Sequence, residues 1–288
     1  KKILILGAKG MLGSDLCFVF KKFKPICWGK KELDITNQKE VERKIKKLKP
    51  KIVINSAAYT DVERAEKEFN LAKKINAEAI RNLVKVCAEI DSIFVHYSTD
   101  YVFNGKKRFG YKENDFPKNP VNKYGVSKLL GEKEILNFKS KNKNFKFYLI
   151  RTSWLFGTKT EPKKHRNFVL KILESAKKRK EIKVVNDQFG KPTYTFDLAQ
   201  ATKKLLENKK PFGIYHLTNE GITSWYEFAK EIIKLAKLKV KISPCKSSEY
   251  KTLAKRPKYS ILINTKLPKL RNWKRALKDY LKFIYERI

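Results

Sequence analysis

The first 150 residues of the chain alternate between short apolar segments and longer amphipathic ones. The short segments are rich in β-branched residues, which is typical of strands buried on both faces of a sheet. Regular alternation of strand and helix predicts an α/β fold with a parallel, doubly wound sheet, because parallel neighbours need a helical crossover. Ligands of such sheets lie at the carboxyl ends of the strands. The predicted strands are 2–6, 25–28, 51–55, 92–97 and 145–150. Four helices are predicted between them: one that begins near Met11, one over 37–48, one over 71–89 and one that contains Tyr124.

The second half of the chain is less regular. We expect the segment 196–217, a helix and a strand, to return to the sheet. Residues 1–152 and about 192–217 would then form a Rossmann nucleotide-binding domain. Residues of about 153–191 and 218–288 would form a smaller, mostly C-terminal substrate-binding lobe. The predicted elements here are helices over 167–178, 196–206, 224–238 and 273–288 and a strand over 213–217.

A glycine-rich turn follows the first predicted strand, with Gly7, Gly10 and Gly13 spaced three apart. Gly7 permits the tight turn, Gly10 lets phosphates approach the backbone, and Gly13 allows close packing of helix on strand. The helix N-terminus near Met11 can hold a pyrophosphate. An ordinary glycine turn is the alternative, but the position between strand and helix favours a dinucleotide site. The spacing matches the short-chain dehydrogenase/reductase variant of this motif.

Composition indicates a globular chain. The 288 residues are 42% hydrophobic and 12% aromatic, which excludes a disordered protein. No apolar stretch approaches the 18 residues of a membrane span, and Lys1 and Lys2 lead into a strand rather than a signal-peptide core. We therefore expect a cytoplasmic protein with no membrane partner.

The formal net charge of +38 raises the question of nucleic-acid binding. The lysines, however, are spread along the chain on predicted helical faces such as 44–49 and 230–239. We recognise no RNA-binding aromatic motif and no helix-turn-helix. The sequence predicts no specific nucleic-acid partner, and its charge favours an anionic substrate.

The cysteines and histidines show no pattern of a metal site or a disulfide framework. We expect buried free thiols and no bound zinc. The residues concerned are Cys17, Cys27, Cys87, Cys245, His96, His165 and His216.

Tyr124 and Lys128 are four residues apart in a predicted helix, so that a phenol and an ammonium share one face. Reduction of a ketone needs a hydride and a proton, and a tyrosine with a pKa near 10 must be tuned to take part. We expect Lys128 to lower the pKa of Tyr124. Together with the glycine turn, the pair indicates hydride chemistry on a nicotinamide cofactor. A packed surface tyrosine is the alternative on spacing alone.

Nearly the whole chain resembles the dTDP-4-dehydrorhamnose reductases, an extended short-chain dehydrogenase/reductase family. The resemblance implies NAD(P)H-dependent reduction of the 4-keto group of dTDP-4-dehydro-L-rhamnose to dTDP-L-rhamnose, in nucleotide-sugar and polysaccharide biosynthesis. The strings that carry it are 7–13, 55–61, 96–103, Tyr124 to Lys128 with Gly131 and Glu132, 151–154, 186–193, and Arg256 with Pro257.

The resemblance assigns catalytic roles to Thr99, Tyr124 and Lys128. Lys128 would hydrogen-bond the nicotinamide ribose, and Thr99 would contact the substrate oxygen. The neighbouring Ser98 and Asp100 would orient the sugar.

It also assigns cofactor contacts. Gly10, Met11 and Leu12 would lie at the pyrophosphate together with the flanking glycines. The adenine and ribose contacts would be Asp34, Ile35, Ala58, Tyr59 and Thr60.

The end of the second predicted strand departs from the NAD pattern. An acid there would bind the adenosine 2′-hydroxyl and repel a 2′-phosphate, but the sequence after Trp28 is Gly-Lys-Lys. Lys30 and Lys31 could pair with the phosphate, so we expect NADPH to be preferred and NADH to be usable. The alternative is two surface lysines in a lysine-rich chain.

For the substrate, the resemblance places Trp154, Asn167 and Arg256 at the nucleotide-sugar. An arginine makes bidentate phosphate contacts that a lysine cannot, and the alternative for Arg256 is an ion pair that anchors the C-terminal segment. Phe168 would lie on the lid helix. The seam between the two parts would be shaped by Gln188, Lys191 and Thr193.

Two other functions stay open. One is reduction of a different nucleotide-linked keto-deoxysugar. The other is a non-catalytic role like that of the dinucleotide-binding regulatory subunit of methionine adenosyltransferase, which resembles this family. The sequence leaves the oligomeric state open, a homodimer included, and it leaves Mg²⁺ dependence open as well.

Overall fold

The computed structural model describes residues 2–157 and 167–286. Within these ranges a parallel sheet is surrounded by helices, and a smaller lobe carries short strands. A π-helical segment, Lys74–Glu78, joins two of the helices. The elements in chain order are β1 (Ile3–Leu6), α1 (Met11–Val19), β2 (Ile26–Trp28), α2 (Gln38–Leu48), β3 (Ile52–Asn55), α3 (Phe69–Lys73), α4 (Ala79–Glu89), β4 (Ile93–Thr99), α5 (Lys123–Lys141), β5 (Phe147–Thr152), β6 (Leu155–Phe156), α6 (Phe168–Ala176), β7 (Glu181–Val185), β8 (Phe189–Gly190), β9 (Thr193–Tyr194), α7 (Thr195–Glu207), β10 (Gly213–His216), β11 (Thr223–Ser224), α8 (Trp225–Leu235), β12 (Lys241–Cys245) and α9 (Trp273–Tyr285).

The main sheet has six strands in the order β10-β5-β4-β3-β1-β2, and all five pairings are parallel. This confirms the predicted α/β fold class. The chain runs from β1 outward to β2 and then crosses back to β3, so the winding reverses between β1 and β3. Ligands of doubly wound sheets bind at this switch point, and the turn that begins at Gly7 lies there.

Strand β1 shows why the sheet is buried on both faces. Ile3 and Ile5 pack with Leu16 of α1 in one apolar core. Leu4 and Leu6 point to the opposite core, which contains Val41 of α2. Because successive side chains of a strand alternate between faces, a continuous apolar run is what a sheet covered on both sides requires.

The smaller lobe has an aromatic core. Phe156, Phe228, Trp273 and Tyr280 are buried together there, and β12 pairs in parallel with β7. The sequence analysis missed β6 to β9, β11 and β12, since segments of two to five residues give little periodicity. The predicted domain boundaries stay a prediction, and residues 158–166, including His165, lie outside the described residues.

The predicted helix over 71–89 is longer and less regular than expected. It begins at Phe69 and passes through the π-helical segment before α4. The last helix ends at Tyr285, and the final two residues of its predicted range lie outside the described part of the chain.

The expectation of four free thiols was wrong for two of them. Cys17 of α1 and Cys27 of β2 form a disulfide with a Cα–Cα distance of 6.3 Å. The sequence could not show this, because α1 comes beside β2 only when both pack on β1. Cys87 and Cys245 are buried free cysteines.

The described residues lack two kinds of feature. None of their helices is long and apolar enough to cross a membrane. They also contain no cluster of three or more histidine, cysteine or acidic side chains that could hold a metal ion.

Helix α5 lies unusually close to the π-helical segment, which yields a test of the packing. A Cβ atom added at Gly131 would lie 2.1 Å from the backbone oxygen of Asn76. Alanine favours a helix over glycine by about 1 kcal/mol, so Gly131→Ala should stabilise α5 on propensity alone. We expect the clash to dominate and to lower the free energy of unfolding by about 1–3 kcal/mol.

Denaturant unfolding would measure this change. Asn137→Ala, at an exposed position of the same helix, is the control and should be neutral or slightly stabilising. A Gly131→Ala protein as stable as the control variant would show that α5 is free to move away from Asn76.

Candidate active site

The glycine turn has the geometry of a phosphate cradle. Gly7 has a φ of +75°, and a Cβ atom there would lie 2.6 Å from the Ala57 nitrogen. A Cβ at Gly13 would lie 2.1 Å from the Gly7 oxygen, so the strand and the helix could not approach as closely. Gly10 is the N-cap of α1 and supplies no side chain to its first turn, which begins with Met11. These features fit the pyrophosphate of a dinucleotide.

The end of β2 does carry an acid, contrary to the sequence analysis. The chain turns back after Gly29, so that Glu32 Oε2 accepts a hydrogen bond from the Gly29 N–H at 2.8 Å. This bond lowers the pKa of Glu32. Lys30 and Lys31 are exposed, and Lys30 Nζ lies 3.6 Å from Asp34 Oδ2. Both charge types are therefore present where an adenosine ribose would lie.

The next loops are tied to the catalytic helix. Tyr59 donates its N–H to Asn76 Oδ1 at 2.9 Å, and Asn76 Nδ2 donates to the Tyr59 carbonyl and to Ser127 Oγ of α5. Ala58 is half-buried beside this link, and Thr60 is exposed. The other predicted adenine contact, Ile35, is buried in the core.

Two of the three predicted catalytic side chains meet at the carboxyl end of β4. The Thr99 hydroxyl donates to Asp100 Oδ1 at 2.9 Å and accepts the Tyr101 N–H at 3.2 Å. The Tyr124 phenol also interacts with the Thr99 hydroxyl. Asn122 caps α5 by accepting the Gly125 N–H and so fixes the helix start beside Thr99.

Lys128 is buried one turn further along α5. Its ammonium donates to the Tyr97 carbonyl at 2.7 Å and lies 3.5 Å from His96 Nε2. Burial lowers the pKa of Lys128 to about 8, and the carboxylate of Glu132 opposes this shift. The ammonium is thus held against β4 at the floor of the site.

The net pKa shift of Tyr124 is opposite to the expected lowering, and Lys128 is not among its causes. The pKa of Tyr124 is raised, because burial disfavours the phenolate, and the Asp100 carboxylate adds to the rise. The bond with Thr99 acts in the opposite sense. Distance along the helix indicated the pair of residues, whereas desolvation of the packed ring decides the pKa. A raised pKa keeps the phenol protonated at neutral pH, which is the form that can donate a proton.

Asp100 is a buried carboxyl group within this cluster. Burial raises its pKa to about 7, while interactions with the Ser260 and Thr99 hydroxyls lower it. Its Oδ2 atom has no hydrogen-bond partner in the part of the chain that the structure describes. Trp154 Nε1, of the predicted sugar-nucleotide residue, donates to Ser260 Oγ at 3.2 Å.

Ser98 is not free to contact a sugar in this structure. Its hydroxyl donates to Glu132 Oε1 at 2.5 Å, and Glu132 forms a buried ion pair with Arg151. The sequence analysis quoted Glu132 and Arg151 without giving them a role. The sequence could have indicated a role for Glu132, since it follows Lys128 by four residues and therefore lies on the same helix face.

Aromatic side chains form the wall where the lobe meets the sheet. The Trp154 and Trp225 rings stack with centroids 3.5 Å apart, and the Phe168 ring lies 4.6 Å from Trp225. Trp154 has a φ of 47°, a conformation that non-glycine residues rarely adopt. Asn167 caps α6 by accepting the Leu170 N–H, and its amide nitrogen donates to the Gly157 carbonyl.

The predicted diphosphate residue is already paired. Arg256 Nη2 lies 2.5 Å from Glu63 Oε1, and Nη1 donates to the Ala254 carbonyl at 2.6 Å. This is the anchoring ion pair that was predicted as the alternative role of Arg256.

The three predicted seam residues, Gln188, Lys191 and Thr193, are buried. Gln188 Nε2 donates to Ser247 Oγ, and Lys191 Nζ lies 3.1 Å from Glu220 Oε1. The Thr193 hydroxyl donates to the Lys191 carbonyl.

The family model described as "RmlD substrate binding domain" matches residues 1–285. The chain belongs to this family. It is 40% identical to the Bacillus subtilis spore coat polysaccharide biosynthesis protein SpsK, over 97% of this chain and 96% of that one.

Two solved structures agree with this assignment. A dTDP-4-dehydrorhamnose reductase of Clostridium acetobutylicum is 39% identical with a TM-score of 0.91, covering 99% of this chain and all of that one. The Bacillus anthracis dTDP-4-dehydrorhamnose reductase in complex with NADP is 37% identical with a TM-score of 0.90, covering 98% and 99% of the two chains. The resemblance noted from sequence motifs is confirmed.

In this member of the family, the buried Asp100 predicts a pH-dependent stability. Its folded-state pKa of about 7 lies above the ordinary value of 3.8, so the folded protein retains a proton that the unfolded chain releases. Stability contributed by this group is present below about pH 4 and is lost as the pH rises to about 7. Asn cannot ionise, so Asp100→Asn removes the destabilisation that the buried carboxylate causes at high pH. We expect the variant to melt about 2–6 °C above the wild type at pH 8.

Thermal unfolding at pH 4.5 and pH 8 provides the measurement. The gain should shrink at the lower pH, where the wild-type carboxyl is protonated. Asp91→Asn is the control, since Asp91 is exposed and paired with Lys146 and should not reproduce the pattern. An equal difference in melting temperature at both pH values would mean that Asp100 does not titrate in this range.

Proposed function

We propose that the protein is a dTDP-4-dehydrorhamnose reductase, which reduces the 4-keto group of dTDP-4-dehydro-L-rhamnose with NAD(P)H to give dTDP-L-rhamnose. The observation that carries the proposal is that Tyr124 and Lys128 of α5 converge on the carboxyl end of β4, where Tyr124 interacts with Thr99 and Lys128 donates to the Tyr97 carbonyl. The reductase relatives, which match almost the full chain, support the same reaction.

The glycine turn supports a nicotinamide dinucleotide as the cofactor. Gly7, Gly10 and Gly13 leave the space that side chains would fill, and the N-terminus of α1 faces the same turn. When bound, the dihydronicotinamide supplies the hydride for the ketone carbon. Lys128 is proposed to hold the nicotinamide ribose.

Tyr124 is proposed to give the proton that the developing alkoxide requires. The phenol holds its proton at neutral pH, since burial moves its pKa further above neutrality, and it can give that proton as the general acid of a reduction. Thr99 would contact the substrate oxygen by turning its single hydroxyl hydrogen from Asp100 to that oxygen. In this structure that hydroxyl donates a hydrogen bond to Asp100 Oδ1.

The sugar-nucleotide is proposed to lie along the aromatic wall, against Trp154, with Asp100 and Thr99 at the sugar. Asn167, next to the stretch outside the described residues, would contact the substrate from the lobe. Arg256 could bind the diphosphate only by leaving Glu63, since the guanidinium is now bonded to that carboxylate. Ser98 would act indirectly, through its bond to Glu132.

Several further aspects belong to the proposal. The product would serve nucleotide-sugar and polysaccharide biosynthesis, and we place the enzyme in the cytoplasm. Its net charge of +38 would favour the anionic dTDP-sugar over any specific nucleic acid. A homodimer and a requirement for Mg²⁺ are questions for solution measurements.

A second candidate substrate is another nucleotide-linked keto-deoxysugar. The observation that favours it is the 40% identity to SpsK, whose name states polysaccharide biosynthesis and no particular sugar. Assays with dTDP-, UDP- and GDP-linked keto sugars would separate the two. A purified protein that binds NADPH and turns over none of these would favour a regulatory subunit like that of methionine adenosyltransferase.

The role of Tyr124 leads to a direct prediction. Tyr124→Phe removes the proton donor and should lower kcat by about 10²–10⁴, while the affinity for NADPH stays within a few-fold of the wild type. Steady-state oxidation of NADPH with dTDP-4-dehydrorhamnose measures kcat, and fluorescence titration measures binding. Tyr148→Phe, which removes a core phenol bonded to the Lys210 carbonyl, is the matched control and should keep its activity. Near-normal kcat in Tyr124→Phe would refute the mechanism.

The charges after β2 lead to a prediction on cofactor choice. We expect a modest preference for NADPH, because Lys30 and Lys31 can pair with a 2′-phosphate but are flexible point charges. Replacing both with alanine should raise KM for NADPH several-fold, with a smaller effect on NADH. Glu32→Gln should have the opposite effect and favour NADPH further, since it removes the nearby carboxylate. A wild type that prefers NADH would contradict the preference.

A further inference from the structure

A fully buried ion pair lies directly beneath the proposed catalytic residues. Arg151 of β5 donates from Nε to Glu132 Oε1 at 2.9 Å and from Nη2 to Glu132 Oε2 at 2.7 Å. Both side chains are 1% exposed. The two parallel hydrogen bonds fix the guanidinium and the carboxylate in one plane.

The carboxylate side of this pair contacts both catalytic elements. Glu132 Oε1 also accepts the Ser98 hydroxyl at 2.5 Å, and Ser98 immediately precedes Thr99. Glu132 lies one helical turn after Lys128 and interacts electrostatically with its ammonium. Glu132 therefore connects the carboxyl end of β4, where Thr99 lies, to the helix that carries Tyr124 and Lys128.

The guanidinium side is held by the opposite edge of the sheet. Arg151 Nη1 lies 3.3 Å from His216 Nε2 of β10, and its guanidinium stacks 5.1 Å from the Phe103 ring centre. His216 Nδ1 lies 3.1 Å from the carbonyl oxygens of Tyr111 and Ile263. Burial lowers the pKa of His216 to about 3, so this imidazole is neutral. With Nδ1 facing carbonyls, the protonated nitrogen is Nδ1, and Nε2 accepts from Arg151.

Such a pair is a poor way to stabilise a fold. Removing two charges from water costs several kcal/mol for each ion, and an apolar pair of the same volume often gives equal or greater stability. The contacts of Glu132 suggest a different use. We propose that Glu132, held by Arg151, is a positioning residue that sets the placement of Lys128 and Thr99 for hydride and proton transfer.

This inference rests on the proposed function, and it has an electrostatic consequence. The charged and titratable groups that face Lys128 are Glu132 on its own helix and His96 on β4, and the Tyr97 carbonyl accepts from it. Burial lowers the pKa of Lys128 to about 8, and the carboxylate of Glu132 raises it. Loss of that carboxylate should move the deprotonation of Lys128 to lower pH.

Glu132→Gln is the decisive variant, because it removes the charge and keeps the size and an acceptor oxygen. We expect kcat to fall about 10- to 100-fold with KM for the dTDP-sugar little changed. The alkaline limb of the pH profile of kcat/KM should move to lower pH by about one unit. The affinity for NADPH should fall over the same alkaline pH range and show the same shift in the variant. Fluorescence titration with NADPH, in the absence of the dTDP-sugar, measures this affinity.

Two further variants separate positioning from mere stability. Glu132→Gln leaves Arg151 unpaired and so is expected to lower the melting temperature. The double variant Glu132→Gln with Arg151→Met removes the orphan charge, and we expect it to regain stability while keeping the low kcat and the shifted limb. Glu134→Gln is the matched control on the same helix, since Glu134 pairs with Arg81 on the exposed side and should change neither readout.

The outcomes are distinct. Recovery of wild-type kcat and pH profile in the double variant would overturn the proposal and leave the pair a purely structural one. An unshifted alkaline limb in Glu132→Gln, in both turnover and NADPH binding, would overturn it too. If the wild type fails to reduce dTDP-4-dehydrorhamnose, the proposed function fails, whereas the effect of Glu132 on Lys128 is still decided by the NADPH titration.

Discussion

Close packing of helix α5 against β4 and the π-helical segment is the constraint on which the rest of the site depends. Two glycines make the approach possible, because Cβ atoms at Gly125 and Gly131 would lie 2.2 Å from the Tyr101 oxygen and 2.1 Å from the Asn76 oxygen. Helix propensity argues against glycine at both positions. The lower helix propensity of the two glycines is the cost of this close packing, which brings Tyr124 of α5 next to Thr99 at the end of β4.

Burial that follows from this packing governs the electrostatics. The same desolvation raises the pKa of Tyr124, lowers that of Lys128 to about 8 and raises that of Asp100 to about 7. A protonated phenol suits reduction, since the substrate gains a proton. The Glu132 carboxylate offsets part of the desolvation cost of the buried Lys128 ammonium. The Glu132–Arg151 ion pair can therefore matter for the chemistry although it contributes little to stability.

Spacing in the sequence was enough to select the proposed catalytic pair, Tyr124 and Lys128, and to locate the glycine turn. Periodicity also predicted the six parallel strands, with ends within two residues of those observed for most of them. It failed where contacts join distant segments. Glu32 returns to Gly29 through a turn, and Arg256 meets Glu63 from the other end of the chain. Neither contact produces a periodic pattern of residue types, so neither could be predicted from the local sequence.

The sequence by itself determined the α/β class and the position of the glycine turn, and it selected Tyr124 and Lys128 as a proposed catalytic pair, because each depends on residue type and local spacing; Thr99 joined the proposed set through the family resemblance. Only the tertiary structure decided the direction of the Tyr124 pKa shift and the buried partnership of Glu132 with Arg151. Both depend on which groups lose water and which come within hydrogen-bond distance when separate elements pack. That information exists only once helix α5 lies against the sheet.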